Sequence, residues 1–393
     1  MNDQKSTIFT KTCVMTIKKL KVLLLFFSGI LYSCSQNNFE EVKNISEIEY
    51  TTTSSTQEKY TFLNTKTNQK VSILHHLQQT GFHFYNSLQF KNENTGVLVG
   101  GTGLRTRITT DGGKTWKEHS FSRFANSFHS VAFSGKALYI VGESKYIFKS
   151  TDLGESWVVF NTEQFFKEKS FISQFKYYKI HFFNDETGFI TGDYNGKPIM
   201  LKTTDGGETW DINNPKGFDS ERAIITDFKI LSEKEIIAVT QYGECYKSIN
   251  QGADWRLLYT SKNKNENLNS IDFKNSNTGY IGGLNGKLLC TVDGGKTWNT
   301  IVLPKVSSKS NVSDILYVKN QVIITTAVGF NDKERRSFVY SLDEKENTIQ
   351  PFLTKKDSAV FFAGNSYGLT LLNDQLYILD RNNLYKTFVK AKK

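Results

Sequence analysis

The stretch Thr109-Thr-Asp111-Gly-Gly113-Lys-Thr115-Trp116 decides how the rest of this chain is read, because the same octet returns four more times. It recurs as Ser150-Thr-Asp152-Leu-Gly154-Glu-Ser156-Trp157 and as Thr203-Thr-Asp205-Gly-Gly207-Glu-Thr209-Trp210. The fourth copy is Ser248-Ile-Asn250-Gln-Gly252-Ala-Asp254-Trp255 and the fifth is Thr291-Val-Asp293-Gly-Gly295-Lys-Thr297-Trp298. All five tryptophans of the 393-residue chain close one of these octets, at spacings of 41, 53, 45 and 43 residues. A period of that size predicts a propeller-type array with one four-stranded sheet per repeat.

Within each repeat the strands alternate. An opening strand such as Ser87-Leu-Gln-Phe90, Ser130-Val-Ala-Phe133, Lys179-Ile-His-Phe182 or Ser270-Ile-Asp-Phe273 is followed by a turn. Three of these turns read Asn-x-x-Thr-Gly, beginning at Asn92, Asn184 and Asn275, where Asn and Gly supply left-handed backbone. A second strand ends in glycine, a third enters the octet, and a fourth starts at the tryptophan. Two further units lack the tryptophan: one keeps Ser341-Leu-Asp343, and the last keeps Asp380 and puts Tyr385 in the Trp place. Residues 83–393 thus divide into seven units of about 44 residues. The expected fold is an all-β propeller of seven four-stranded blades, with six or eight as alternatives, because residues 60–80 either pair with the last blade or begin another.

The octet has a local duty. Its aspartate accepts from N–H groups of its own turn, its glycine permits positive φ, and its tryptophan fills the wedge between neighbouring sheets. Asp111, Asp152, Asp205, Asn250 and Asp293, with Trp116, Trp157, Trp210, Trp255 and Trp298, are therefore read as structural. One carboxylate per blade at equivalent positions lies far from its copies and forms no catalytic group.

The amino terminus reads as a leader. Lys18, Lys19 and Lys21 precede a short apolar run, Val22 to Leu31, and Leu31-Tyr-Ser33-Cys34 resembles a bacterial lipobox with Cys34 as the lipidated first residue. A start at Met15 gives a leader of ordinary length, which would make residues 1–14 an upstream mis-start. The run is shorter than the roughly 20 residues that a spanning helix needs. The expected organisation is a lipoprotein leader over residues 1–33, a polar linker over 34–58 and one propeller over 59–393. The expected location is the bacterial envelope, lipid-anchored at the outer membrane, on either its periplasmic or its surface side. The leader carries +4 of the net +10, which leaves a mildly basic body, too diffuse for nucleic acid. Cys245 and Cys290 share strand parity on adjacent repeats, so their thiols point the same way and do not meet.

These octets, the Asn-x-x-Thr-Gly turn and the Gly-Gly-Lys/Glu-Thr-Trp spelling resemble the propellers similar to the photosystem II stability and assembly factor, within the Asp-box or BNR-repeat superfamily. That superfamily also holds sialidases and sortilin-type receptors. The resemblance is strong over about residues 83–301 and weak beyond, and it implies a non-enzymatic chaperone-scaffold. A sialidase would carry Phe/Tyr-Arg-Ile-Pro, but Pro198, Pro215, Pro304 and Pro351 follow Lys, Asn, Leu and Gln. Sialidase-type hydrolysis and carbohydrate binding remain the alternatives. Oxidoreductase chemistry has no support, since no dinucleotide fingerprint follows a strand and no Cys-x-x-Cys occurs. No cofactor is implied. The six histidines offer no metal spacing, and His129 and His181 are expected as satisfied core residues.

One end of the ring should gather the links between blades and the turns between second and third strands. It carries Arg105, Lys145, Lys197 and Lys287 in the turns, with Arg123, Arg222, Phe165, Phe166 and Lys167 in the links. Basic groups interleaved with aromatics suit an acidic peptide or anionic surface, and a plain solvated rim is the competing reading. The expected partner is a protein or peptide client, bound by a monomer.

Overall fold

Each octet folds into a hydrogen-bonded turn that needs nothing from outside itself. In the first copy Asp111 Oδ1 accepts from the backbone N–H groups of Lys114 (3.0 Å) and Thr115 (2.9 Å), and Oδ2 accepts from Thr115 Oγ1 at 2.6 Å. Thr109 Oγ1 donates to Asp111 Oδ1 and accepts from Gly113 N, both at 2.8 Å. The same ring forms around Asp152, Asp205 and Asp293. In the fourth copy Asn250 keeps it, accepting from Asp254 N and donating through Nδ2 to Asp254 Oδ2. The second glycine of every copy sits at φ between 81° and 89°, where a Cβ is strained. Copies two and four place Leu153 (φ 57°) and Gln251 (φ 61°) where the others have a first glycine.

The computed structural model describes residues 39–42, 47–50, 62–63, 72–76 and 85–388, apart from loop positions 102–104, 122–124, 136, 167–173, 214, 219–222, 264–265, 304–309, 329–335, 345–347, 352, 355–360, 364–365, 374 and 381–382. It is an all-β propeller. The first blade comprises Tyr85–Phe90, Gly96–Gly100, Arg105–Thr109 and Trp116–Ser120, paired antiparallel in that order. Blades two to six repeat the plan over residues 128–161, 175–212, 225–260, 268–300 and 310–351. Second strands such as Gly96–Gly100, Ala137–Gly142 and Ile236–Thr240 are buried throughout, because a neighbouring blade covers each of their faces.

The tryptophans cement the blades. Trp157 is fully buried against Val97 and Ile108 of the first blade, and Trp255 packs with Phe189 and Met200 of the third. Trp210 meets Tyr139 of the second blade. Trp298 is half-buried beside Tyr259. In four copies the indole Nε1 donates to the carbonyl of the octet's own second glycine, at 2.8–3.1 Å.

The expectation of seven repeated blades is corrected in one respect: six blades, not seven, are built from four consecutive strands. The last unit supplies three strands, Ser366–Leu372, Gln375–Asp380 and Asn383–Phe388, and Ser72–His76 joins antiparallel to the outermost of them. This composite sheet lies between blades six and one, with Tyr377 stacked on Phe90 at 4.1 Å. Pairing strands from distant parts of the chain satisfies an edge that three C-terminal strands would leave open. The sixth blade does not form the octet's turn, since Ser341 lies within a strand and donates to Gln321 Oε1 instead.

Two strands also fall in the stretch read as linker. Phe39–Val42 adds to the outer edge of blade two and Glu47–Tyr50 to that of blade one. Both end opposite the octet tryptophan, Val42 facing Trp157 and Tyr50 facing Trp116. The leader and Cys34 lie outside the described residues.

Two outcomes follow from the octet. A Cβ on Gly207 would meet the Tyr139 ring at 2.6 Å at a φ of 86°, whereas Gly196 (φ 78°) has open space. Gly207→Ala should cost about 3 kcal/mol or more by denaturant unfolding, and Gly196→Ala about 1 kcal/mol; equal costs would discard the wedge geometry. Hydrogen bonds from Thr297 hold the Asp293 carboxyl down to about 2. A carboxylate depressed in the folded chain contributes stability above its unfolded pKa and loses it as pH falls through the folded value. Asp293 should therefore titrate near 2 by carboxyl NMR, and Thr297→Val should raise that value.

Candidate binding face and axial channel

The face singled out in sequence is formed by the interblade links and the turns between second and third strands. A single-turn 3-10 helix, Thr162–Phe165, is capped by the Asn161 side chain and leads out of blade two. It sets Glu163 Oε2 2.6 Å from Lys145 Nζ, and that hydrogen bond raises the lysine pKa. Lys287 is likewise taken up, by Glu266 and by Ser261 Oγ. Lys197 is exposed at the start of its strand. Arg105 is placed by its backbone at the start of Arg105–Thr109, while Arg123, Lys167 and Arg222 lie outside the described residues. The aromatics do not stand among these cations as free platforms: Phe166 packs on Tyr194 (4.2 Å) and Phe175, and Phe165 packs on Phe160. Of the six expected basic residues, then, two already have acidic partners and one is open.

Sequence reading missed the polar lining of the axis. Each innermost strand carries a one-residue irregularity at the same place, skipping Asn86, His129, Tyr178, Thr226, Asn269, Ser313 and Tyr367. A bulge turns a side chain and a peptide group out of the ladder, and at several of these places they reach the next sheet. Asn86 Nδ2 donates to Phe128 O, Thr226 Oγ1 to Leu268 O and Asn269 Nδ2 to Val312 O. His129 Nδ1 lies 3.0 Å from Tyr177 O, which makes Nδ1 the protonated nitrogen. One residue further on, Ser130, Asp227, Ser270 and Asp314 accept from the N–H groups of Ile180, Ile271, Ile315 and Leu369 in the following sheets.

Charges line the same strands. Lys179 Nζ sits 3.0 Å from Asp227 Oδ1, and Lys229 Nζ sits 2.6 Å from Asp272 Oδ1. Burial works to lower the Lys179 pKa, but Asp227, Asp314 and Asp272 together hold it above the ordinary value. Burial pushes the Asp314 carboxyl up to about 6, against the pull of Lys179. His181 is exposed to the channel yet hemmed in by protein; this burial, with Lys229 and Lys179 nearby, lowers its pKa to about 4 and keeps it neutral. His129 is thus a satisfied histidine as expected, whereas His181 lines the axis. Cys245 and Cys290 are both free, the first buried and the second half-buried. Among the described residues no group of three His, Cys, Asp or Glu side chains is placed to hold a metal. These polar groups join blade to blade.

Comparison with known proteins reaches the same architecture. Residues 67–165, about a quarter of the chain, match the family model described as photosynthesis system II assembly factor YCF48. A solved structure of YCF48 bound to a D1 peptide is similar over 82% of this chain and 95% of that one, at 18% identity and a TM-score of 0.59. YCF48 from Cyanidioschyzon merolae is similar over 80% and 98%, at 15% identity and a TM-score of 0.57. No curated protein matches. The WD40 β-propeller domain of Doa1 reaches a TM-score of 0.58 at 11% identity over 82% and 98%, so the structural likenesses establish a propeller, and the family match over blades one and two is what points toward the YCF48 type.

Proposed function

We propose that this chain is a non-enzymatic scaffold that binds a protein or peptide client on the link-bearing end of the ring, tethered to a bacterial envelope membrane through lipidated Cys34. One observation carries the reading. Asp227, Asp314, Lys179, Lys229 and Asp272, among the most polar side chains of the axis, make interblade hydrogen bonds and ion pairs, which supports a structural task for them. A structure of the same architecture was solved with a D1 peptide bound, which supports a peptide as the kind of client. In this reading the composite sheet acts as the ring's seventh blade, locked by Ser72–His76.

The client face rests on Lys197, Arg105 and Arg222, since Lys145 and Lys287 are held by Glu163 and Glu266. Charge reversal at those three positions should reduce client capture by cross-linking in intact cells about tenfold or more, and unchanged capture would remove this face from consideration. Reversal of Lys145 alone should have the smaller effect on capture and the larger one on stability. Turnover of sialosides by the purified chain would replace the scaffold reading with the glycosidase alternative. For the tether, the mature chain should begin at Cys34 and partition into detergent, and Cys34→Ala should release it into the aqueous phase.

A further inference from the structure

Outer strands expose one row of unpaired N–H and C=O groups, and proteins usually cover such rows. This propeller does so in a consistent way. The five-residue outer strands Trp116–Ser120 and Trp157–Asn161 are covered by Glu47–Tyr50 and Phe39–Val42. The outer strands of blades three and five are only two residues long, Asp211–Ile212 and Asn299–Thr300. Blade six ends its outer strand at Pro351, which has no N–H to offer. Blade four differs: Arg256–Thr260 has five residues and, among the described residues, no strand on its outer side, its one interruption being a register shift at Leu258.

We infer that the outer edge of blade four is a second docking site, which takes an extended acidic–apolar segment of the client as an added antiparallel strand. The chemistry of the occupant comes from the two strands already seated on equivalent edges. They read Phe39-Glu-Glu-Val42 and Glu47-Ile-Glu-Tyr50, and on blade one Glu49 lies opposite Lys117, the residue after the tryptophan. Arg256 holds that same place on blade four and is exposed, as is Thr260 at the other end. Between them Leu257, Leu258 and Tyr259 are half-buried: they pack on the interblade clusters and leave part of their apolar surface uncovered. The start of the edge is fixed, because Lys216 O already accepts from Trp255 N, so addition begins at Arg256. Backbone bonds give such docking its affinity and alternate side chains its selectivity, so the incoming strand sets an acidic residue against Arg256 and apolar residues beside the leucines.

This site lies on the outer rim and uses none of the residues of the link-bearing face, so its failure and that of the client face are separable. The probe is a peptide of residues 46–51, Ser-Glu-Ile-Glu-Tyr-Thr, titrated into the full chain. Binding should slow hydrogen exchange of those amides in 256–260 that point away from Glu244–Ser248. Arg256→Glu should weaken it about fivefold, and a peptide with both glutamates changed to lysine should recover it on that variant. An N-methylated peptide, which cannot complete the ladder, should not bind the unaltered chain. Equal binding by the N-methylated peptide, or affinity indifferent to Arg256→Glu, would overturn the proposal. So would slow exchange, in the free chain, of those 256–260 amides that point away from Glu244–Ser248, or a dimer formed through this edge.

Discussion

The bulge repeated in every innermost strand is the feature on which the ring depends. A flat strand spends all its peptide groups on its own ladder or on one neighbour in the same sheet, and separate sheets would then meet only through apolar side chains. By displacing one residue per strand, the chain turns an N–H toward the preceding sheet and a side chain toward the following carbonyl. Ile180, Ile271, Ile315 and Leu369 use the first of these, and Asn86, Thr226 and Asn269 the second. These bonds lie near the axis, where the sheets crowd together, while the tryptophan wedges act further out, where they diverge. Directional bonds set the angle between blades, and burial supplies most of the free energy.

The seam between blades three and four departs from this scheme in a way that follows from one residue. The place held by Ser130, Asp227, Ser270 or Asp314 elsewhere is taken by Lys179, a donor that cannot accept from a peptide N–H. Tyr178, the displaced residue of the same strand, turns to Asp193 and stacks on His129 instead of reaching blade four. The near-axis link at this seam is the Lys179–Asp227 ion pair. Asp227 therefore serves two seams, accepting from Ile271 through Oδ2 while Oδ1 faces Lys179. Loss of that carboxylate would leave a lysine without its nearest counter-ion in a confined channel, a larger disturbance than losing one ordinary hydrogen bond.

How far the sequence could be read follows from the range of each interaction. The octet closes within eight residues, so its spelling and its geometry coincide, and the duties of Asp111, Asp205 and Trp157 were legible in one dimension. The period gave the blades for the same reason. Closure of the ring was legible only as one of two options for residues 60–80, because Ser72–His76 pairs with a strand more than 300 positions away and looks like any short apolar run. Glu47–Tyr50 was hidden by its composition, where acidic residues alternate with apolar ones in a stretch that reads as polar. Two cations of the basic face have acidic partners that the sequence did not announce. Lys145 finds Glu163, and Lys287 finds Glu266, about 20 residues away across a link, a distance at which composition says nothing about pairing. One clue to the channel was present in Lys179-Ile-His and Ser270-Ile-Asp, where polar residues flank a single apolar one at the same place in successive repeats.

Two kinds of aspartate in this fold respond to acid in opposite ways, and together they limit where the ring is most stable. Hydrogen bonds hold the Asp293 carboxyl well below its unfolded value, so acidification removes that contribution as pH falls toward about 2. Asp314 is the reverse case: burial raises it to about 6, so the folded chain binds a proton that the unfolded chain has already released near 4. Between those values each rise in pH therefore penalises the fold, and above about 6 the penalty is complete. The penalty is tolerated because the ionised carboxylate of Asp314 accepts from Ser270 Oγ and Leu369 N and so ties together blade five, blade six and the composite sheet. Replacing Asp314 by an apolar residue would remove the titration but leave the Leu369 N–H without its acceptor. A buried charge here is the cost of an acceptor that can serve two neighbouring sheets at once.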